Sequence, residues 1–275
     1  GWFHTGGTIS DCAAKVDVSA DGSSASNSVY AGGIAGYLYS ENRIDNCVNK
    51  GCIRGKSEYC IQSGGIAGRI GNGAFIGLCS NYGEINVSGR QINAGGIAGN
   101  SSTVEEKTQT ISRCFNAGKL NTDGTDAKAK SGGIAGYCGR TNITNCFNIG
   151  TIMKEPDNTN ASYIGGIAGE IYGSSFRISN CYNAGRITSG SIFGGIAGRA
   201  LPGTTADCYY DNICPYGIGT GGASACAKTT DELKRQSEYA GFDFTGVWTM
   251  DAADETGYYF AQLRENPLES GRHRV

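Results

Sequence analysis

The chain has little proline, histidine or methionine: four, two and two in 275 residues. So few prolines, with no Gly-X-Y period, exclude a collagen-type coil. His4 and His273 both lie near the chain ends, which leaves little for a histidine base in a rigid site. H-E-x-x-H is absent, and so are G-x-S-x-G and G-x-x-x-x-G-K-[ST]. The chemistries of zinc proteases, serine hydrolases and P-loop phosphate binding lose their usual carriers. No C-x-x-C exists, so a zinc site is a weak reading. No run of 18 apolar residues exists, so no membrane-spanning helix is expected. Lys and Arg total 23 against 25 Asp and Glu. They form no basic stripe, which argues against nucleic acid as a partner. No signal segment opens the chain. The expectation is that one was removed or that this is part of a larger chain.

Glycine is abundant, at 45 residues, roughly twice the usual share of about 7%. Fifteen Tyr, nine Phe and two Trp argue against disorder. The glycines recur in phase. "GGIAG" occurs six times, at 32–36, 64–68, 95–99, 132–136, 165–169 and 194–198. A cysteine series runs beside it: Cys12, Cys47, Cys79, Cys114, Cys146, Cys181 and Cys208. Five of these open the pattern C-x-N-x-G, with Asn49, Asn81, Asn116, Asn148 and Asn183. The glycines of that pattern are Gly51, Gly83, Gly118, Gly150 and Gly185. An aliphatic residue follows each glycine by two, and an isoleucine precedes six of the cysteines by three.

Cys, Asn, Gly and the aliphatic residue share one parity, so in an extended chain they share one face. The isoleucine before Cys has the other parity and must lie across a bend. Each repeat therefore reads as three short strands: "GGIAG", "I-x-x-C" and "N-x-G-x-I". Three bends per turn predict an all-β fold, a right-handed parallel β-helix (β-solenoid) of about seven coils. A β-propeller is the competing fold, but its blades have four strands and a period of about 40–45 residues. Successive coils lie about 4.8 Å apart, so each Asn can donate to one neighbour and accept from the other. Stacked Cys is read as a small hydrophobe with a free thiol. Outside the series, Cys52 with Cys60 and Cys214 with Cys226 are disulfide candidates, and Cys138 stands alone.

The repeat stops near Cys208, and the expected division is 1–207 for the β-helix and 208–275 for a C-terminal capping segment. Thr229 and Glu232 form a capping-box pattern that predicts one short helix. The aromatic residues Phe242, Phe244, Trp248, Tyr258, Tyr259 and Phe260 then read as a plug for the open end of the core. An aromatic sugar-binding platform is the functional alternative.

The segments between coils differ: 19–31, 54–63, 86–94, 121–131, 153–164 and 188–193, all leaving from one corner, while the longest departure on another corner is 100–110. They read as loops along one side of the rod, where binding would live. "NTDGTDAK" and "EPDNTN" carry oxygens for calcium, though hydrated turns explain them better. "GIGTGG" and "LPGTT" read as turns. An enzyme of the β-helix polysaccharide lyase or hydrolase type is the alternative function. Its candidates are Asp207 and Asp211 near Tyr209 and Tyr210, with Arg69, Arg186 and Arg199, but no acidic cluster gathers. The residues thus assign no catalytic, cofactor-binding or metal site.

"GGIAG" joined to segments such as "NCYNAGRI" resembles the GLUG motif repeats of bacterial surface and secreted proteins. Such repeats also occur outside the protease domain of some IgA-specific metallopeptidases. The tail "CYYD…KTTDELKRQS…AGFDFTGVWTM…YYFAQL" resembles the segment that often ends such arrays. The first copy departs, with Ala14 and Val16 where later copies have Asn and Gly. The resemblance implies an extracellular or cell-wall-associated bacterial protein. It implies a non-enzymatic, adhesin-like or stalk function, with a host or microbial surface glycan or protein as partner.

Overall fold

The computed structural model describes residues 2–3, 6–102, 107–123, 128–154, 162–173, 177–189, 192–251 and 257–270. Three parallel sheets wind around the chain axis as a right-handed β-solenoid. One is eight-stranded, from Trp2–Phe3 through Ala35–Leu38 and Ala67–Ile70 to Ile218–Thr220. The second carries the isoleucines and the Cys-x-Asn segments, and the third begins at each coil's last aliphatic residue. About five turns carry the full motif, those of Asn49, Asn81, Asn116, Asn148 and Asn183. The expected seven are not all complete: Ala14 pairs in register with Asn49, and Tyr210 with Asn183, so the flanking turns lack the amide.

The parity argument places Cys, Asn, Gly and Ile inward, and Cys79, Asn81, Gly83 and Ile85 are all buried. The bend between Ile and Cys is real. It is made by the residue just before each cysteine, which adopts a left-handed conformation. These are Asp11, Asn46, Leu78, Arg113, Asn145, Asn180 and Asp207, with φ between 48° and 57°. Asn and Asp tolerate that region best, and they hold five of the seven positions.

Two expectations on the strands need correction. "GGIAG" is not a strand. Its first glycine ends one strand, as in Ile53–Gly64, and its alanine starts the next, as in Ala67–Ile70, with the corner between. The second glycine lies against the asparagine amide: a Cβ on Gly96 would overlap Asn116 and the Gly133 carbonyl. Nor are the described parts of the inter-coil segments mainly loops on the scaffold. Residues 54–63 and 86–94 lie inside the continuous strands Ile53–Gly64 and Ile85–Gly95. The first coil interrupts the same sheet only between Val18–Gly22 and Ser28–Gly32. Alternation across Ile53, Gly55 and Ser57, all buried, against exposed Arg54, Lys56 and Glu58 is that of a sheet with one packed face. "EPDNTN", the middle of "NTDGTDAK", the centre of 100–110, His4 and His273 lie outside the described residues.

All twelve cysteines are free thiols, so neither proposed disulfide is present. Cys60 is buried inside Ile53–Gly64, and Cys226 is exposed while Cys214 is buried. The stacked thiols do more than fill space. The Cys114 N–H donates to Cys146 Sγ at 3.4 Å, and the Cys146 thiol donates to the Thr144 carbonyl at 3.3 Å across the left-handed corner. The same pair of bonds recurs at Cys47, Cys79 and Cys114. Cys146→Ala should therefore leave a buried N–H unpaired and cost about 1–3 kcal/mol. Cys146→Ser, which keeps an acceptor and a donor, should cost less; urea melts of the two variants read the order. Burial pushes the Cys114 and Cys146 thiols well above the ordinary value, and Cys208 up to about 12. Alkylation of the folded chain at pH 8 should mark the exposed Cys12 and Cys226 and spare the buried stack until unfolding. Rapid labelling of Cys114 or Cys146 would contradict the buried stack.

The tail differs from the expected plug. Parallel pairing runs past residue 207: Ile218–Thr220 pairs with Ala197–Arg199, and Cys226–Lys228 with Tyr209–Asp211. The core's end is closed by Tyr210 and Cys214, with Ile218, Ala223 and Ala225 packed beside them. The aromatic segment instead turns back along the flank. Leu233, Tyr239, Phe242, Trp248, Tyr258, Phe260 and Leu263 cover the outward row Phe115, Phe147, Tyr182 and Tyr209. Glu265 pairs with Arg113, Glu269 with Lys50, and the Glu269 N–H donates to Tyr82. The capping box forms, since Glu232 accepts from the Thr229 N–H at 2.7 Å and donates its own N–H to Thr229 Oγ1. No α-helix follows among the described residues, only turns and the 3-10 segment Gln236–Glu238. The Leu233 carbonyl, which a helix would use, accepts from Tyr239 OH at 2.6 Å.

Candidate binding seam

Two outward rows meet where the third sheet turns into the first. One row stands two residues before each "GG": Tyr30, Gln62, Asn93, Lys130, Tyr163 and Ile192, paired in register from coil to coil. The other directly follows each "GGIAG": Tyr37, Arg69, Asn100, Tyr137, Glu170 and Arg199. The corner glycines bring the rows close, because a Cβ on Gly136 would overlap the backbone at Ala94 and Lys130.

Side chains cross the seam repeatedly. Tyr30 and Tyr37 rings lie 5.4 Å apart, and Arg69 sits 5.1 Å from the Tyr37 ring centre. Arg69 also donates to Tyr30 OH at 3.4 Å and to the Ser102 carbonyl at 3.3 Å. Lys130 lies 3.8 Å from the Tyr137 ring centre and 2.6 Å from Glu170. Arg199 meets the same carboxylate at 2.9 Å and lies 5.6 Å from the Tyr163 ring centre. Glu170 is thus buried but held by two cations, the arrangement a buried carboxylate needs. Burial, with Glu170 beside it, pushes the Tyr137 hydroxyl up to about 12, so it stays a hydrogen-bond donor.

Three polar atoms here have no hydrogen-bond partner among the described residues: Gln62 Oε1, Arg69 Nε and Asn100 Oδ1. Gln62 is 5% exposed and Asn100 8%. The remaining two such atoms, on Ser63 and Ser131, belong to the inward parity of the third sheet.

The residues singled out from sequence scatter. Arg69 and Arg199 stand in one row of the seam, whereas Arg186 is exposed elsewhere, next to the strand Ile187–Ser189. Asp207 is an exposed left-handed corner. Asp211 is buried and accepts from the Ile213 N–H and the Thr230 hydroxyl, which fixes a turn. Tyr209 packs on the flank and Tyr210 closes the core. Among the described residues, no three His, Cys, Asp or Glu gather to hold a metal. Sequence reasoning missed the seam, although its signal is visible. The residue after "GGIAG" is Tyr, Arg, Asn, Tyr, Glu or Arg and never aliphatic.

Residues 160–188 match the GLUG motif. The chain thus carries a GLUG motif in that coil. The matched stretch includes Cys181, Asn183 and Gly185, and the other coils repeat those positions on the same stacks. A search of curated proteins finds no match. The fold is similar to the crystal structure of a "putative immunoglobulin A1 protease" from Bacteroides ovatus. The TM-score is 0.52 at 17% identity, covering 96% of this chain and 86% of that one. At that identity the likeness concerns the fold. No helix among the described residues is long and apolar enough to cross a membrane.

Proposed function

We propose that this GLUG-repeat solenoid is a secreted or cell-surface binding module without catalysis of its own, and that it binds through the seam. The observation carrying this reading is the set of buried, unpartnered polar atoms on Gln62, Arg69 and Asn100, lined up between tyrosines. Leaving such groups unpaired costs about 1–3 kcal/mol each, a cost a ligand would offset. The stacked Asn and Cys interior keeps the rows rigid, which lowers the ordering cost of binding. The described parts of the variable segments, expected to be binding loops, are mostly sheet, so the seam takes that role. Motif and fold likeness support an extracellular setting, and an adhesin-like role fits it better than a bare stalk.

The polysaccharide lyase or hydrolase reading draws less support. Glycoside cleavage in most families needs two carboxylates flanking the bond. The rows of the seam hold one, Glu170, already bound by Lys130 and Arg199. A glycan and host-protein array probed with the folded chain tests the proposal. Specific capture that weakens when Arg69 becomes Gln is expected. A blank array would favour the stalk, and shortening of a polysaccharide on incubation would favour the enzyme.

A further inference from the structure

The geometry points to an acidic polysaccharide as the ligand of the seam, laid along the solenoid axis with about one sugar residue per coil. This rests on the binding-module reading above and specifies its ligand.

Three observations converge on that class. The first is charge. Arg69, Lys130 and Arg199 face the seam against the single carboxylate of Glu170. Lys130 and Arg199 share that carboxylate, while Arg69 has only a hydroxyl and a carbonyl as hydrogen-bond partners among the described residues. Its Nε is buried with no hydrogen-bond partner among the described residues, so a carboxylate that reached it through a small shift of the side chain would gain a planar, charge-assisted bond. The second is the kind of polar group beside it. Gln62 Oε1 and Asn100 Oδ1 are neutral acceptors and so need donors. Sugar hydroxyls donate; a phosphate or a bare carboxylate does not. A ligand that satisfies Arg69 and both amides at once therefore carries hydroxyls and carboxylates together, as a uronic acid does.

The third is spacing. The rows repeat every coil, about 4.8 Å. An extended peptide repeats its side chains every two residues, about 6.8 Å, and falls out of step after one coil. A linear pyranose polymer, with one ring per residue, keeps closer to the coil spacing than a peptide does and so can offer each coil a ring. Tyrosines flank the unpartnered groups, Tyr30 and Tyr37 in the first coil of the seam and Tyr137 and Tyr163 in the fourth and fifth, and offer apolar ring surface with a polar tip. That suits a ring that is apolar on its face and hydroxylated at its rim.

The test measures binding of the full chain to oligogalacturonates of increasing length by calorimetry. Carboxyl-reduced oligomers of equal length and polyglutamate serve as comparison probes. Affinity should rise with length until the six coils from Tyr37 to Arg199 are spanned, then level off. Carboxyl-reduced oligomers should bind at least about tenfold more weakly, the loss of one charge-assisted bond. Arg69→Gln and Asn100→Ala should each weaken binding by about tenfold, while Arg186→Gln, outside the seam, should not. Binding should also fall as salt screens the exposed cations. Arg69→Gln changes an outward side chain, so an unaltered melting curve would confirm that the variant is folded. Equal binding of polyglutamate would mean charge alone is read and would overturn the proposal. Parent-like affinity in Arg69→Gln would overturn it too. Capture of neutral glycans or proteins, indifferent to Arg69, would sink the acidic ligand but keep the binding module. No capture of any class would sink both.

Discussion

Trp248→Ala should lower the unfolding free energy by about 3–5 kcal/mol, the usual cost of removing a buried indole. Trp248 is fully buried against the flank. Its ring lies 4.6 Å from that of Phe242 and farther from those of Tyr182 and Phe147, at 5.9 and 6.0 Å. Its Nε1–H donates to Asn145 Oδ1 at 3.3 Å, and Asn145 is itself a left-handed corner residue. The substitution therefore empties a cavity and strips a partner from a strained corner. Single domains have only about 5–15 kcal/mol in hand, so the loss is large. The aromatic segment joins one flank, and solenoid stability is largely a sum over neighbouring coils. Melting should then broaden as the coils of Phe115, Phe147 and Tyr182 lose their cover. Removing everything after residue 228 should expose that whole row and cause aggregation. In a Trp2→Phe background, Trp248 emission should be blue-shifted and resist iodide. A parent-like melt for Trp248→Ala, or a fully quenchable Trp248, would show that the segment does not dock on the flank.

That docking was hidden from the sequence for a definite reason. The aromatic density of the tail is plain, but an open core end and an aromatic flank both accept it. What decides is the residue between Cys and Asn, Phe115, Phe147 and Tyr182, which has outward parity and so needs a cover. The interior was legible because parity is strict: one residue of slip would turn Asn116 to solvent. Corners were legible where they break parity, as between Ile and Cys. They were not legible at "GG", because glycine has no side chain to declare a face. The third sheet was misread because its variable residues are outward and its inward ones include Gly55 and Ser57, which do not look like core. The seam followed from that error. Its two rows face each other only because the corner lies inside "GGIAG", and a strand there would have pointed them apart.

Asn116→Ala should be as costly as any single change in the interior, at about 3 kcal/mol, the upper end for buried groups left unpaired. Asn116 Nδ2 donates to Asn148 Oδ1 at 2.8 Å and to the Gly118 carbonyl at 2.9 Å. Its Oδ1 accepts from Asn81 Nδ2 at 2.8 Å and from the Gly118 N–H at 3.2 Å. The same four-way arrangement holds at Asn81 and Asn148. Alanine leaves one N–H of the Asn81 amide and the Gly118 carbonyl without partners and takes one of two donors from Asn148 Oδ1, in a site closed to water, while the Gly118 N–H keeps the Asn81 carbonyl at 3.1 Å. Asn183→Ala should cost less. The next coil offers Tyr210 there in place of an amide, so Asn183 accepts from Asn148 but has no further rung to donate to. A double substitution of Asn81 and Asn116 should cost less than the sum of the two, because their mutual bond is lost once. Gly96→Ala should match Asn116→Ala by the opposite route, overfilling the same site: its Cβ would overlap both Asn116 and the Gly133 carbonyl. Adding Asn116→Ala to Gly96→Ala should give no rescue, since the carbonyl overlap remains. Urea melts of these variants and of Asn81→Ala alone, six in all, decide it. Equal costs at Asn116 and Asn183, or additive costs at Asn81 and Asn116, would mean that the amides do not act as one continuous stack.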